Sequence, residues 1–252
     1  MKKILYAFDI GNTNVSAGVF CNGKIVKRLK FPTKTSVRYD TCLKGLTVSK
    51  RFSKDVKAII SSVVPAATPR LERSIKRVMG LSSIVVGRDK KVPIKNLYHI
   101  KSQVGQDRLV DAFAAKVIYG SPAVVVDLGT AITFDVISRR GEYLGGLILP
   151  GIKMALESLY ENTALLPRVE IGKAPSIIGR DTANSIRGGI LFGFGSMCDE
   201  LAERYKKMLG RDARVILTGG NAKLMKRYTK SISCIDEDIT LKGLYLISGG
   251  VI

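Results

Sequence analysis

Histidine is nearly missing from this chain: His99 is the only one among 252 residues. A histidine-built zinc centre or a Ser-His-Asp triad therefore has little material. Cysteine is scarce as well. Cys21, Cys42, Cys198 and Cys234 are scattered and form no Cys-x-x-Cys pair, which predicts free thiols in a reducing, cytoplasmic setting. No run of about 18 apolar residues occurs, so no membrane span is expected. The opening segment Met1 to Asp9 reaches an acid after a very short apolar run and reads as a first strand, not a signal peptide. A Gly-x-x-x-x-Gly-Lys-Ser/Thr loop is absent, which excludes a P-loop enzyme.

Acidic residues are also in short supply. Asp and Glu number 21 against 41 Lys and Arg, a formal charge of +20. Such a balance attracts polyanions. The basic residues are nevertheless spread along the whole chain in short clusters such as Lys24–Lys30 and Arg88–Lys91. Without a basic arm or zinc-finger spacing they read as solvated surface, and neither nucleic acid nor membrane is an expected partner. Hydrophobic residues make up 46% and charged residues 25%, an ordinary globular composition. The length suits one large domain or two lobes of about 100–150 residues each.

What the chain does contain is an internal echo. Residues 4–9 form an apolar run ending in Asp9, followed by Gly11-Asn12-Thr13-Asn14, a second run from Val15 to Phe20, an Asn22-Gly23 hairpin turn and a third strand to about Leu29. The same grammar returns in Ala123–Asp127, the turn Gly129-Thr130-Ala131, the alternating Ile132–Ile137, a turn at 138–141 and a strand from Glu142 to Ile148. Each half also has a strand leading into a glycine- or proline-marked turn and a helix: Val56–Pro65 and onward to Met79, then Arg214–Gly220 and onward to Tyr228. Helices are predicted from Gln106 to Tyr119, stopped by Gly120-Ser121-Pro122, and from Thr182 to Leu209, closed by Gly210. Two α/β lobes, 1–115 and 116–252, are expected to face one another across a central cleft, where ligands favour binding.

The chemistry is expected at Asp9-Ile10-Gly11-Asn12-Thr13 and Asp127-Leu128-Gly129-Thr130. Glycine lets the backbone turn tightly against a phosphate. Amide groups in such turns form an anion nest, to which the hydroxyls of Thr13, Ser16 and Thr130 add donors. Carboxylates at strand ends suit a hydrated divalent cation bridging to phosphate oxygens. One such motif is an ordinary hairpin turn; two at equivalent places of a duplicated chain point to phosphate binding. Thr218-Gly219-Gly220-Asn221 offers a third loop against which a nucleoside could lie. The glycine-rich run Gly188–Gly195 reads as a close-packing helix surface, here expected across a dimer interface.

These motifs resemble the type III pantothenate kinases along the whole chain. The resemblance rests on Asp9–Asn14, Ser61-Ser62-Val63-Val64-Pro65, Gly105-Gln106-Asp107-Arg108, Asp127–Thr133, Gly145–Gly151, Ala164–Pro167 and Thr218-Gly219-Gly220. It implies a duplicated ribonuclease-H-like (actin-like ATPase) fold, a homodimer, and ATP-dependent phosphorylation of pantothenate to 4′-phosphopantothenate, the opening step of coenzyme A synthesis. Mg²⁺ and a monovalent cation, K⁺ or NH₄⁺, are implied as cofactors. The family's Tyr-x-Asn-Pro departs here to Tyr98-His99-Ile100-Lys101, with Tyr98 in register.

By the same resemblance Asp107 is the expected base, and its place at a helix start three residues before the inward-facing Val110 agrees; a helix-start acid favoured by the dipole is the bland alternative. Arg108 is expected to grip the pantothenate carboxylate. Tyr98, Gly105, Gln106 and Thr182 complete the substrate set, Thr182 reaching the neighbouring subunit's substrate. Asp9 to Ser16, including Ile10, Asn14 and Val15, is expected to hold ATP, with Asp9 on Mg²⁺ through water, Asp127 on the monovalent cation and Thr130 on ATP. A sugar-type kinase of the same superfamily and a non-enzymatic transcriptional accessory protein are the alternatives.

Overall fold

The computed structural model describes residues 3–34, 36–47, 55–173 and 176–251. Met1 and Lys2, part of the opening segment read as a strand, lie outside them.

The first echo forms a three-stranded meander, β1 (Lys3–Ile10), β2 (Asn14–Cys21) and β3 (Lys24–Pro32). Asn22 and Gly23 turn β2 into β3 at φ 49° and 85°, the left-handed pair that a tight hairpin needs. Two parallel strands, β4 (Asp55–Ser62) and β5 (Ser83–Val85), extend the sheet beyond β1 to give the order β3-β2-β1-β4-β5. Helix α1 (Tyr39–Lys44) precedes β4, α2 (Thr68–Met79) joins β4 to β5, and α3 (Gln106–Tyr119) follows. Helix α2 has proline in its first turn and ends at Gly80, φ 69°, whose N–H returns to the Lys76 carbonyl at 3.0 Å.

The second echo repeats the plan with β6 (Ala123–Leu128), β7 (Ala131–Ile137) and β8 (Tyr143–Pro150) as the meander, and β9 (Arg214–Thr218) and β10 (Cys234–Ile235) as parallel additions. Its order, β10-β9-β6-β7-β8, is the first sheet read from the other edge. Helices α4 (Ile152–Glu161), α5 (Thr182–Leu209) and α6 (Ala222–Met225) belong to this half. Asp181 caps α5, its Oδ1 accepting the Asn184 N–H at 2.8 Å. Val124, Val126, Phe134 and Leu217 of the sheet bury their side chains in one cluster with Leu191, Cys198 and Ala202 of α5. A side chain at Gly195 would collide with the Tyr228 carbonyl, so this glycine packs α5 within its own half; Gly189 and Gly193 face open space.

The chain divides into two compact units, one of residues 1–94, 98–114 and 238–252, the other of 95–97 and 115–237. The C-terminal helix α7 (Ile239–Ile247) thus belongs with the first unit, whereas the lobe expected from the sequence, 116–252, places these residues in the second. The packing explains the return. Strand β1 is apolar at nearly every position because both faces of its sheet are covered. Tyr6, Phe8 and Ile10 meet Leu71 and Ile75 of α2, while Leu5 and Ala7 join Ile59, Val110, Leu241 and Leu244. Helix α7 approaches α3 so closely that any side chain at Gly243 would press on Val110. Burying Val110 alone is worth about 1.5–3 kcal/mol.

Candidate active site

In the first unit the carboxyl ends of the parallel strands β1, β4 and β5 lie together, the usual binding edge of such sheets. Asp9 stands at this edge. Across the sheet it is paired with Ser16 of β2 on one side and Ser61 of β4 on the other, neighbours about 5 Å away on the same face. One Asp9 carboxylate oxygen is buried, and so is the Ser61 hydroxyl, which makes no hydrogen bond among the described residues. The turn that follows is tight: the Gly11 N–H donates to the Asn14 carbonyl at 3.0 Å, and the Thr33 hydroxyl donates to the Gly11 carbonyl at 2.7 Å. Asn12 and Thr13 are left exposed at its tip, while Ile10 and Val15 point into the core.

The Gly105–Arg108 segment is brought to the same edge. The Val63 N–H donates to the Ile10 carbonyl at 3.1 Å, which fixes the end of β4 to the end of β1. A Cβ at Gly105 would meet Val63 at 3.3 Å and run into the Asp107 carboxylate. Gly87, at φ 87° just beyond β5, gives the Gln106 side chain its seat in the same way. Asp107 therefore occupies the first turn of α3 beside the strand ends that carry Asp9. Its Oδ1 accepts the Arg108 N–H at 2.8 Å. Desolvation by the surrounding protein raises the Asp107 pKa, and the Arg108 N–H and guanidinium oppose the rise without cancelling it. A carboxyl held this way is a stronger proton acceptor than a solvated one.

In the second unit Asp127 ends β6 as Asp9 ends β1. It is paired with Thr133 of β7 and Thr218 of β9, so the pattern of hydroxyl, carboxylate, hydroxyl across three strands is repeated. Its surroundings are tighter. Any side chain at Gly219, φ 89°, would collide with the Asp127 carboxylate and the Leu128 backbone. The Asn221 N–H and side-chain amide both donate to the Leu128 carbonyl at 3.3 Å. A side chain at Gly151 would strike the Thr130 carbonyl. The 127–131, 150–151 and 218–221 loops are thus packed into one glycine-lined edge, with the Thr130 side chain exposed on it.

Thr182 is exposed at the first residue of α5, and Tyr98 is half-buried three residues before the 3₁₀ turn Lys101–Gln103. Ser61 and Thr133 were not singled out in the sequence as neighbours of the acids. Their signal was present in their positions on β4 and β7, but it becomes readable only once the strand register is known. Among the described residues no group of three or more His, Cys, Asp or Glu side chains converges on one point. A fully protein-ligated metal is therefore not what these residues suit. Single strand-end carboxylates flanked by hydroxyls do suit a cation that keeps waters and takes its remaining ligands from a phosphate.

Comparison with known proteins agrees with this geometry. A family model described as Type III pantothenate kinase matches residues 5–204. A protein of that description from Finegoldia magna is 39% identical over 256 residues, covering 98% of both chains. Another from Bacillus cytotoxicus is 38% identical over 249 residues, covering 97% of this chain and 95% of its own. Among solved structures, a conserved protein of the Baf family of transcriptional activators from Campylobacter jejuni matches with a TM-score of 0.61 at 21% identity over 97% of each chain. The MreB 5 protein of Spiroplasma citri, bound to AMPPNP, matches at 0.52 and 11% identity, covering 98% of this chain and 96% of its own. These two likenesses establish the α/β actin-like fold with its two sheets.

Proposed function

The chain belongs to the type III pantothenate kinase family, and on that premise we propose that it transfers the γ-phosphoryl group of ATP to the primary hydroxyl of pantothenate, giving 4′-phosphopantothenate. The observation that carries the reading is Asp107: a desolvated carboxyl of raised pKa at the start of α3, beside the strand ends that carry the Asp9 turn. In this reading Asp107 takes the hydroxyl proton as the phosphoryl group is transferred. Arg108 binds the pantothenate carboxylate through its planar guanidinium, and Tyr98, Gly105 and Gln106 shape the rest of that pocket.

The Asp9–Ser16 turn receives ATP phosphates on its backbone amides and hydroxyls, and Thr130 is assigned an ATP contact as well. Asp9 holds Mg²⁺ through water, and Asp127 holds K⁺ or NH₄⁺. These cations offset the repulsion between carboxylate and phosphate, about 4 kcal/mol at 4 Å for an effective dielectric near 20.

We also propose that the protein acts as a cytoplasmic homodimer. Ile177 and Ile178 are 73% and 71% exposed and Leu165 is 91% exposed, apolar surface in the same unit as the open glycines Gly189 and Gly193 that a second copy would cover. Thr182 lies at the start of that helix, suited to reach the neighbour's substrate.

The test is ADP release with ATP, Mg²⁺ and pantothenate, with and without K⁺. Potassium-dependent turnover is expected. Phosphorylation of a hexose but not of pantothenate, or no turnover together with salt-dependent, sequence-preferring DNA binding, overturns the proposal.

A further inference from the structure

Outside the two acidic hairpins, the strongest concentration of unused charge lies on the first unit where α1 meets α2. An open depression of about 210 Å³ is lined by Arg38, Asp40, Arg70, Arg73, Ser74 and Arg77, with Tyr39 and Val37 completing its wall. Its construction follows from helix geometry. Residues 70, 73, 74 and 77 are spaced i, i+3, i+4 and i+7, so they line one side of α2. Leu71, Ile75 and Met79 of the same helix are turned into the core. Arg38 immediately precedes α1 and brings a fourth guanidinium from a segment more than thirty residues earlier.

The charges in this depression are not balanced. Asp40 is its one carboxylate, held by Ser74 and Arg77 and kept below the usual carboxylate range by those bonds and by the Arg38 charge. The Arg70 guanidinium lies over the Tyr39 ring at 4.5 Å and donates to the Val37 carbonyl at 3.2 Å, which holds its plane in place. Arg38 and Arg73 are exposed and have no carboxylate within ion-pair distance among the described residues. Elsewhere on the same unit arginines are matched: Arg28 pairs with Asp238, and Arg88 with Glu72 and Asp89. Four guanidiniums against one carboxylate in a concave site focus a positive field that water and salt screen less than on a flat surface.

We propose that this depression is a second anion site, which binds a compact phosphoanion such as a diphosphate or the phosphate end of a larger metabolite. Guanidinium forks match phosphate oxygens two at a time. The volume is smaller than the roughly 300–1,000 Å³ of pockets that enclose whole drug-sized ligands, so the depression takes the phosphate group and leaves the remainder of the ligand outside. Its concave shape favours a compact anion over the extended backbone of a nucleic acid. The site is built from α1, the two residues before it and α2, and does not depend on the kinase reading.

The test uses the full-length protein and inorganic pyrophosphate. Phenylglyoxal, an arginine-specific reagent, is applied with and without pyrophosphate, and modified peptides are located by mass spectrometry. Pyrophosphate is expected to slow modification of Arg38 and Arg73 at least fivefold. It is also expected to bind the Arg38→Gln/Arg73→Gln variant at this site at least tenfold more weakly by calorimetry, with turnover of that variant unchanged. Both side chains are exposed, so the variant retains the fold. Equal modification rates with and without pyrophosphate overturn the proposal, as does protection by duplex DNA but not by pyrophosphate.

Discussion

Asp9 and Asp127 end the central strands of two sheets with the same strand order, and each stands between two hydroxyl residues, yet their neighbourhoods differ. The Asp9 edge is shared with α3, whose first turn adds Asp107 with its raised pKa. The Asp127 edge is shared with two glycine loops that leave no space for a side chain at 151 or 219. One scaffold has been loaded in two ways: the first with a titratable group, the second with close backbone. The strands fix the position of an acid, and the segment that arrives beside it decides what that acid can do.

The sharpest way to break this comparison is to neutralise the group that one edge has and the other lacks. Asp107→Asn is expected to lower turnover with pantothenate by about 10²–10⁴-fold while nucleotide affinity stays within a few-fold, as read by ADP release and equilibrium binding. Turnover within a few-fold of the parent would remove Asp107 from the role of base.

The second contrast concerns the glycines. Gly219→Ala puts a Cβ into the Leu128 backbone at a left-handed φ, and a loss of about 3 kcal/mol is expected, seen as a Tm lower by about 6–12 °C. Gly11→Ala meets only the Asn14 carbonyl at 3.3 Å and is expected to cost less than about 1 kcal/mol. Equal losses would mean that the two acidic edges are equally crowded.

Replacing the acids themselves tests the separate cations proposed for them. Asp127→Asn is expected to raise the K⁺ concentration for half-activation at least about tenfold, whereas Asp9→Asn shifts the Mg²⁺ requirement and leaves the preference for K⁺ over Na⁺ in place. Both are read from initial rates in K⁺ and Na⁺ buffers.

Much of this layout is legible in the sequence. Helix ends at Tyr119 and Leu209 are marked by Gly120-Ser121-Pro122 and Gly210, and the first hairpin by Asn22-Gly23, because few residues adopt the positive φ found at Asn22, Gly23, Gly120 and Gly210. The destination of α7 was not legible. Ile239, Leu241, Leu244, Tyr245 and Ile247 are buried around most of its circumference, and an apolar helix carries no mark of which sheet it covers. The second hydroxyl beside Asp9 is hidden for another reason: Ser61 lies far along the chain from it, and only the parallel register Asp9↔Ser61 places them together. The arginine depression is hidden likewise, since Arg38 and Arg70 belong to different elements.

A smaller effect tests the environment of Asp107 through pH. A carboxyl whose folded pKa is raised binds more protons in the native than in the unfolded chain, so its contribution to stability is full below the unfolded value of about 3.9 and is lost as pH rises through the folded pKa. Asp107→Asn removes that loss. The variant is therefore expected to be at least as stable as the parent at pH 7, with the advantage shrinking below about pH 4, in denaturant titrations at both pH values. A variant that is less stable at pH 7 would mean that the ionised carboxylate is favourably bonded in the fold.

The smallest expected effect bears on the hydroxyls. Removing a buried hydroxyl that has no partner sacrifices no hydrogen bond and relieves its desolvation, so Ser61→Ala is expected to change stability by no more than about 0.5 kcal/mol. A hydroxyl at that position without a structural bond has its donor and acceptor capacity left for something outside the chain. The register sets Ser61 beside Asp9, where the proposed hydrated Mg²⁺ would lie, and Ser61→Ala is expected to raise the Mg²⁺ concentration for half-maximal turnover a few-fold. A stability loss beyond about 1.5 kcal/mol with an unchanged Mg²⁺ requirement would reverse the assignment and make Ser61 a structural residue of β4.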